Sequence, residues 1–230
     1  MRISIILLLF FCSSAYAARP MITDDARLVD PKSCELETWF QENKDSTEYW
    51  AAPACNFTGN LELSVSAAIG KDNNNTEITD IVYQAKTLIK ELKTNGWGVG
   101  VAFGNERHPQ INAESNMIGN LYAYVPASFS FLNDDLVVHI NLGAEHSKDE
   151  KRTHLTWGLG SEIRLTNQTF LIGEVFGQNN GNPFFQLGIA YWVVPDHVQF
   201  DTTYGNRMND TSEEQWFTIG LRLLSNPIFP

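Results

Sequence analysis

Between Cys34 and Leu224 the chain repeats one pattern: short runs in which apolar residues alternate with polar or small ones, broken by Asn, Asp, Gly and Pro. Successive side chains of a strand point to opposite faces, so each run is greasy on one side only. Leu61, Leu63, Val65, Ala67 and Ile69 alternate with Glu62, Ser64, Ser66 and Ala68. Trp97, Val99, Val101 and Phe103 alternate with Gly98, Gly100, Ala102 and Gly104, and Leu136, Val138, Ile140 and Leu142 with Val137, His139, Asn141 and Gly143. The last run places Phe217, Ile219, Leu221 and Leu223 on one face and Trp216, Thr218, Gly220 and Arg222 on the other. Twelve such segments are expected. Ile81 to Lys93 is the one window with helical character, but Asp80, Gln84 and Lys86 fit the strand parity better. Segment 169–178 is ambiguous, because Phe170, Ile172 and Phe176 share a parity with Glu174.

A terminal strand of this kind is either the edge of a sandwich or the seam of a barrel. Loop lengths separate the two. Connections after even-numbered segments are short: Thr58–Asn60, Lys93–Gly96, Asn133–Asp135, Thr166–Gln168 and Pro195–Asp196. Those after several odd-numbered segments are longer and more polar, as at Asn105–Asn116, Ser147–Arg152, Gln178–Asn182 and Asn206–Glu214. Sorted loops and an even strand count are the pattern of an outer-membrane barrel with both termini periplasmic, and runs of about ten residues match a tilted transmembrane strand. The expected fold is therefore all-β, a closed antiparallel up-and-down transmembrane barrel of about 12 strands over residues 34–230.

The greasy faces put Tyr83, Trp97, Phe103, Phe129, Phe131, Trp157, Tyr191, Phe200, Tyr204 and Phe217 mostly near segment ends, where aromatic girdles lie. The other faces carry Glu35, Glu37, Glu62, Asp80, Glu145, Glu162, Glu174 and Asp201 against Lys86, Arg164 and Arg222, with His139 and Asn141 between them. Charge is costly in the lipid band, so these residues are expected to line the lumen. Two readings follow. An acidic lumen focuses cations and repels anions; alternatively, acids and bases pair to fill a narrow barrel. Twelve strands lie between the filled eight-stranded and the open sixteen-stranded case.

The chain opens on Met1-Arg2, an uncharged apolar run over Ile3 to Phe11, and Ala15-Tyr16-Ala17. That is the form of a secretory signal peptide, expected over residues 1–17. The run is too short to span a bilayer as a helix. Residues 18–33 then form an N-terminal segment, periplasmic or lumen-facing. Lys and Arg number 16 against 27 Asp and Glu, and no basic patch tracks phosphates, which argues against nucleic acid as a partner. Outer-membrane lipid, the barrel-assembly machinery and a small-molecule solute are the partners expected. Barrels of this kind often end on an aromatic read by that machinery; here Phe229 stands in that role ahead of Pro230.

Two cysteines follow the leader, in a compartment that permits disulfides. If Phe40 faces Tyr49 in a hairpin, then Thr38 faces Ala51, Leu36 faces Pro53 and Cys34 faces Cys55, all on one side. The spacing predicts a Cys34–Cys55 bridge, with two free buried thiols as the alternative.

No catalytic constellation emerges. Outer-membrane lipid hydrolases carry His-x-Ser on a strand, whereas the residues two after each His here are Gln110, Asn141, Lys148, Thr156 and Gln199. His154-Leu-Thr156 is the one candidate, at a loop edge. His139, Asn141 and Glu145 share a face and read as a lumen network. No His pair or Cys/His cluster has metal-ligand spacing, so neither metal nor cofactor is expected. Asp24-Asp25 and Asp134-Asp135 read as turn and cap acids. The sequons at Asn56, Asn74, Asn167 and Asn209 read as incidental.

At Arg19–Ala26, Cys34–Trp39, Pro53–Cys55, Gln84–Thr87 and Gly96–Gly100 the chain resembles uncharacterised proteobacterial outer-membrane proteins, distantly similar to transporters named for the MetA pathway of phenol degradation. The resemblance covers most of the chain after the leader and rests on structural rather than chemical motifs. It implies a barrel that passes small hydrophobic compounds and carries over no catalytic residue.

Overall fold

The computed structural model describes residues 21–71, 76–109, 118–209 and 214–229; the leader over residues 1–17 and the sequon at Asn74 lie outside them. Twelve strands follow in order: β1 Cys34–Asn43, β2 Thr47–Asn56, β3 Glu62–Lys71, β4 Thr76–Lys90, β5 Trp97–Arg107, β6 Asn120–Phe131, β7 Leu136–Ser147, β8 Arg152–Arg164, β9 Thr169–Gln178, β10 Phe184–Val194, β11 Val198–Arg207 and β12 Trp216–Leu224. Each pairs antiparallel with the next, and β1 pairs with β12, so the sheet closes into a barrel. The last strand is the seam rather than an edge.

The β1–β2 register is the one the hairpin spacing predicts, Phe40 opposite Tyr49 and Cys34 opposite Cys55. Their Cα atoms are 4.1 Å apart and the disulfide is formed. At the seam Glu37 pairs with Arg222 and Trp39 with Gly220. The window with helical character is strand from Ile81 to Lys90, where the ladder partners of β3 and β5 satisfy its backbone, and irregular over residues 91–93. A bulge where Ala68 pairs with Asp80 and Ile69 with Ile78 leaves Thr79 unopposed. β5 runs three residues beyond the expected Gly104, through Asn105, Glu106 and Arg107. At the short turns Asn95, Asn133, Asp134 and Asp196 adopt positive φ, which Asn and Asp tolerate best among non-glycine residues.

The exterior is apolar. Leu142, Leu159 and Leu187 are each more than half exposed, and Phe103, Phe131, Phe200, Tyr191, Tyr204, Trp97 and Phe217 are exposed with them. Such a continuous greasy surface is far larger than a soluble monomer carries and requires lipid around it. The core lies inside the barrel. Arg222 and His139 have no exposed surface, and Trp192, Phe170 and Ala190 pack together within it. This settles β9: Phe170, Ile172 and Glu174 are buried and face inward, while Leu171 is exposed. An interior that is packed rather than water-filled accepts apolar side chains on the lumen face.

Candidate functional site

Residues 21–29 run along the inside of the barrel, held by inward side chains of β2, β3, β4, β6, β8 and β9. The Glu174 carboxylate accepts the Ile22 amide at 2.8 Å and the Thr23 amide at 2.7 Å, one on each oxygen. Ser128 Oγ accepts the Ala26 amide at 2.8 Å, and Glu62 accepts that of Val29 at 2.8 Å. Asn56 Nδ2 donates to the Val29 carbonyl at 2.7 Å. These contacts satisfy backbone groups that would otherwise be buried without partners.

Charge is matched in the same region. Lys86 Nζ donates to Asp24 at 2.7 Å and approaches Asp25 at 3.4 Å. Tyr124 Oη donates to the other Asp24 oxygen at 2.7 Å. Asp24 and Asp25, read from sequence as turn and cap acids, are thus lumen ion-pair partners as well; Asp25 also accepts the Arg27 amide at 3.0 Å. Space is matched too: a Cβ built on Gly158 of β8 would lie 2.5 Å from Thr23 Oγ1, and one on Gly160 would lie 3.3 Å from Met21 Sδ. Glycine at 158 is what lets the segment lie against the wall.

Ser128, His139 and Glu162 form a relay: Ser128 Oγ lies 2.8 Å from His139 Nδ1 and His139 Nε2 lies 3.0 Å from Glu162 Oε1. The order is that of a hydrolytic triad. Here Ser128 and His139 have no exposed surface and the Ser128 oxygen already receives the Ala26 amide, so the relay anchors the segment to β6, β7 and β8. Arg222 meets Glu35 at 2.5 Å and Glu37 at 3.5 Å across the seam. Arg164 approaches Asp135 at 3.5 Å near the short turns, and Asp201 is buried beside the seam.

Beside the inner segment the interior opens, from Glu35, Ala54 and Glu62 near the short turns to Glu48, Phe184 and Trp216 toward the long loops. A cavity of about 600 Å³ is lined by Trp39, Trp50, Glu37, Glu48, Phe184 and Trp216 among others. A second of about 570 Å³ is lined by Tyr122, Glu106, Asn141, Glu145, Trp157 and Arg207 among others. Ile22, Gln84, Tyr124, Phe176 and Phe184 border both, so the start of the inner segment forms their shared floor. Aromatic faces dominate. Trp39 and Trp50 stack at 5.0 Å, Phe184 lies 5.6 Å from Phe176 and 5.8 Å from Trp216, and Arg207 lies 4.3 Å over the Phe184 ring. Glu48 accepts Trp50 Nε1 at 2.8 Å and Asn43 Nδ2 at 3.3 Å, and Glu145 accepts Asn120 Nδ2 at 2.8 Å.

At the rim, Asp80 of β4 and Glu106 of β5 meet His108, their ligating atoms within 4.8 Å of one another. His108 Nδ1 lies 2.6 Å from Asp80 Oδ1. That hydrogen bond, with the carboxylates of Glu106 and Glu145 nearby, pushes the imidazole pKa up. Sequence reasoning named Asp80 alone of these three. The signal for the others was the parity of Gly98 to Gly104, which continues to Glu106 and His108.

No curated protein sequence matches the chain. Among solved structures it is similar to the KdgM porin, at 10% identity and a TM-score of 0.61 over 82% of this chain and 98% of that one. It is similar also to the NanC porin, at 12% identity and a TM-score of 0.60 over 83% and 98%. The COG4313 outer membrane channel from Pseudomonas putida F1 matches at 10% identity and a TM-score of 0.58 over 90% and 98%. At these identities the likeness is one of fold, that of outer-membrane barrels, and it agrees with the lipid-facing exterior in placing the protein in the outer membrane. A family model matches residues 5–224, and the chain belongs to that family, described as uncharacterised conserved protein UCP029691.

Proposed function

We propose that the protein is an outer-membrane channel for a small solute, entered through an aromatic, acidic vestibule and closed at rest by its own N-terminal segment. The vestibule carries this reading: a space of about 600 Å³ beside the inner segment, walled by Trp39, Trp50, Phe184 and Trp216, is large enough for a small organic molecule. The resemblance to transporters of the phenol-degradation pathway points the same way, toward a solute with an apolar body. The fold likeness to porins and to the COG4313 channel supports passage rather than chemistry.

Charge sets the second preference. Glu48 and Glu145 are held by neutral donors, whereas Lys86 is engaged by Asp24, and Arg207 by Glu214. The field in the vestibule is negative, which favours cations and neutral solutes over anions. Phe229 packs on Phe57 with ring centroids 4.7 Å apart at the periplasmic end.

The test is a reversal potential across planar bilayers under a KCl gradient. A cation-selective potential that moves toward zero in Glu48→Gln supports the reading; anion selectivity overturns it. A filled barrel without transport is the second reading, favoured by the hydrogen bonds that tie the Ile22, Thr23, Ala26 and Val29 amides to the wall, and it predicts silence at every salt concentration.

A further inference from the structure

We propose that Asp80, Glu106 and His108 form a binding site for a divalent transition-metal cation at the outer rim of the barrel. The placement is a product of the strand geometry. Side chains two apart on a strand point the same way, so Glu106 and His108 project from one face of the β5 end. Val82 pairs with Glu106 across β4 and β5. The next inward position toward the rim on β4 is Asp80, which brings its carboxylate opposite His108. The bulge at Thr79 keeps Asp80 on the inward face although β4 has slipped one residue against β3 beyond it.

The chemistry of the set is specific. One imidazole and two carboxylates whose donor atoms lie within 4.8 Å of one another need only small side-chain rotations to reach the spacing of ligands around one ion about 2.0–2.2 Å from each. Among the described residues neither Asp80 nor Glu106 has a lysine or arginine within ion-pair distance, and Glu106 makes no hydrogen bond through its side chain. Glu145 adds a third negative charge nearby. Two acids facing each other with only a histidine between them repel, and a divalent cation removes that repulsion. The imidazole selects borderline ions such as Zn²⁺, Ni²⁺ and Cu²⁺ over Ca²⁺ and Mg²⁺, which prefer oxygen throughout. Three protein ligands leave positions for water, as suits a site that loads and releases an ion.

The step balances simply. In the protonated ring each nitrogen carries a hydrogen; the one that His108 Nδ1 shares with Asp80 leaves to solvent as the ion takes that lone pair, and the other stays on Nε2, so that bound His108 is neutral. This site stands independently of the channel reading, since a filled barrel would carry the same rim.

The experiment is titration of the full barrel in detergent with Zn²⁺ and Ni²⁺ by calorimetry, in two buffers of different ionisation enthalpy, together with electron paramagnetic resonance of the Cu²⁺ form. We expect one ion per chain at micromolar affinity, a buffer-dependent heat that reports proton release, and hyperfine coupling to a single imidazole nitrogen. His108→Ala and Glu106→Gln are expected to weaken binding ten- to a hundredfold. Heat-modifiable migration in gels, unchanged in both variants, shows that they fold. Absence of micromolar binding to the parent barrel overturns the proposal. So does affinity that survives both substitutions, which assigns the ion to His146, His154 or His197 instead.

Discussion

Lys86 and Asp24, 62 positions apart in sequence, meet at 2.7 Å inside the barrel, with Asp25 on the same ammonium at 3.4 Å. The contact ties β4 to the inner segment, and Arg27, 3.5 Å from Asp25, supplies the second positive charge. Breaking a buried pair by removing one partner costs about 3–5 kcal/mol, because the remaining charge has nowhere to go. Lys86→Met strands two carboxylates on the segment. We expect the segment to undock more often, read as faster proteolysis within residues 21–33, while the heat-modifiable shift of the barrel is retained.

Gly158 tests the same docking by volume instead of charge. A leucine there must displace Thr23, since the first carbon alone would lie 2.5 Å from the Thr23 hydroxyl. Overpacking of this kind costs about 1–3 kcal/mol. Gly158→Leu is expected to free the segment with the strand register intact, and a spin label at residue 22, whose side chain is exposed and which is held through its backbone amide, should gain mobility. Unchanged mobility would mean that the wall yields and the segment does not.

The Cys34–Cys55 bridge closes a separation of 21 residues at the periplasmic end of β1 and β2. In the chain-entropy account it stabilises the fold by about 3 kcal/mol. The double replacement by serine should lower the urea midpoint of unfolding in detergent and leave the conductance of the folded fraction unchanged. A midpoint equal to the parent's would contradict the account.

The strand register was legible because it rests on period 2, which every residue of a strand obeys. Phe40 against Tyr49 follows from spacing, and Cys34 against Cys55 follows from Phe40. β9 was ambiguous for a physical reason: Phe170 and Ile172 point inward because the lower interior is a packed core with Trp192, not water. The contacts of the inner segment left no trace in sequence. Ile22, Thr23, Ala26 and Val29 bind through backbone amides, which every residue except proline has, so alternation gave Glu62 and Glu174 a face but no partner. Glu106 and His108 did carry a signal, the continued parity of β5, and it was hidden by ending the strand at Gly104.

The rim site makes a statement about pH. The Asp80 hydrogen bond raises the His108 pKa above the ordinary imidazole value of 6.5, helped by Glu106 and Glu145. A raised pKa means that the charged contact is complete at low pH and fades as pH rises through the shifted value. Metal must displace that proton, so Zn²⁺ affinity is expected to climb with pH until the shifted value is passed, then level off. The Ala variant at 108 should lose that dependence.

The central claim is that the inner segment, residues 21–33, closes a channel that the barrel would otherwise hold open. Single-channel recording in planar bilayers of the barrel with and without those residues tests it most directly. The account predicts rare, small openings for the intact chain and a steady, several-fold larger, cation-selective conductance after the deletion. A deleted barrel that folds, inserts and conducts no more than the parent would contradict it.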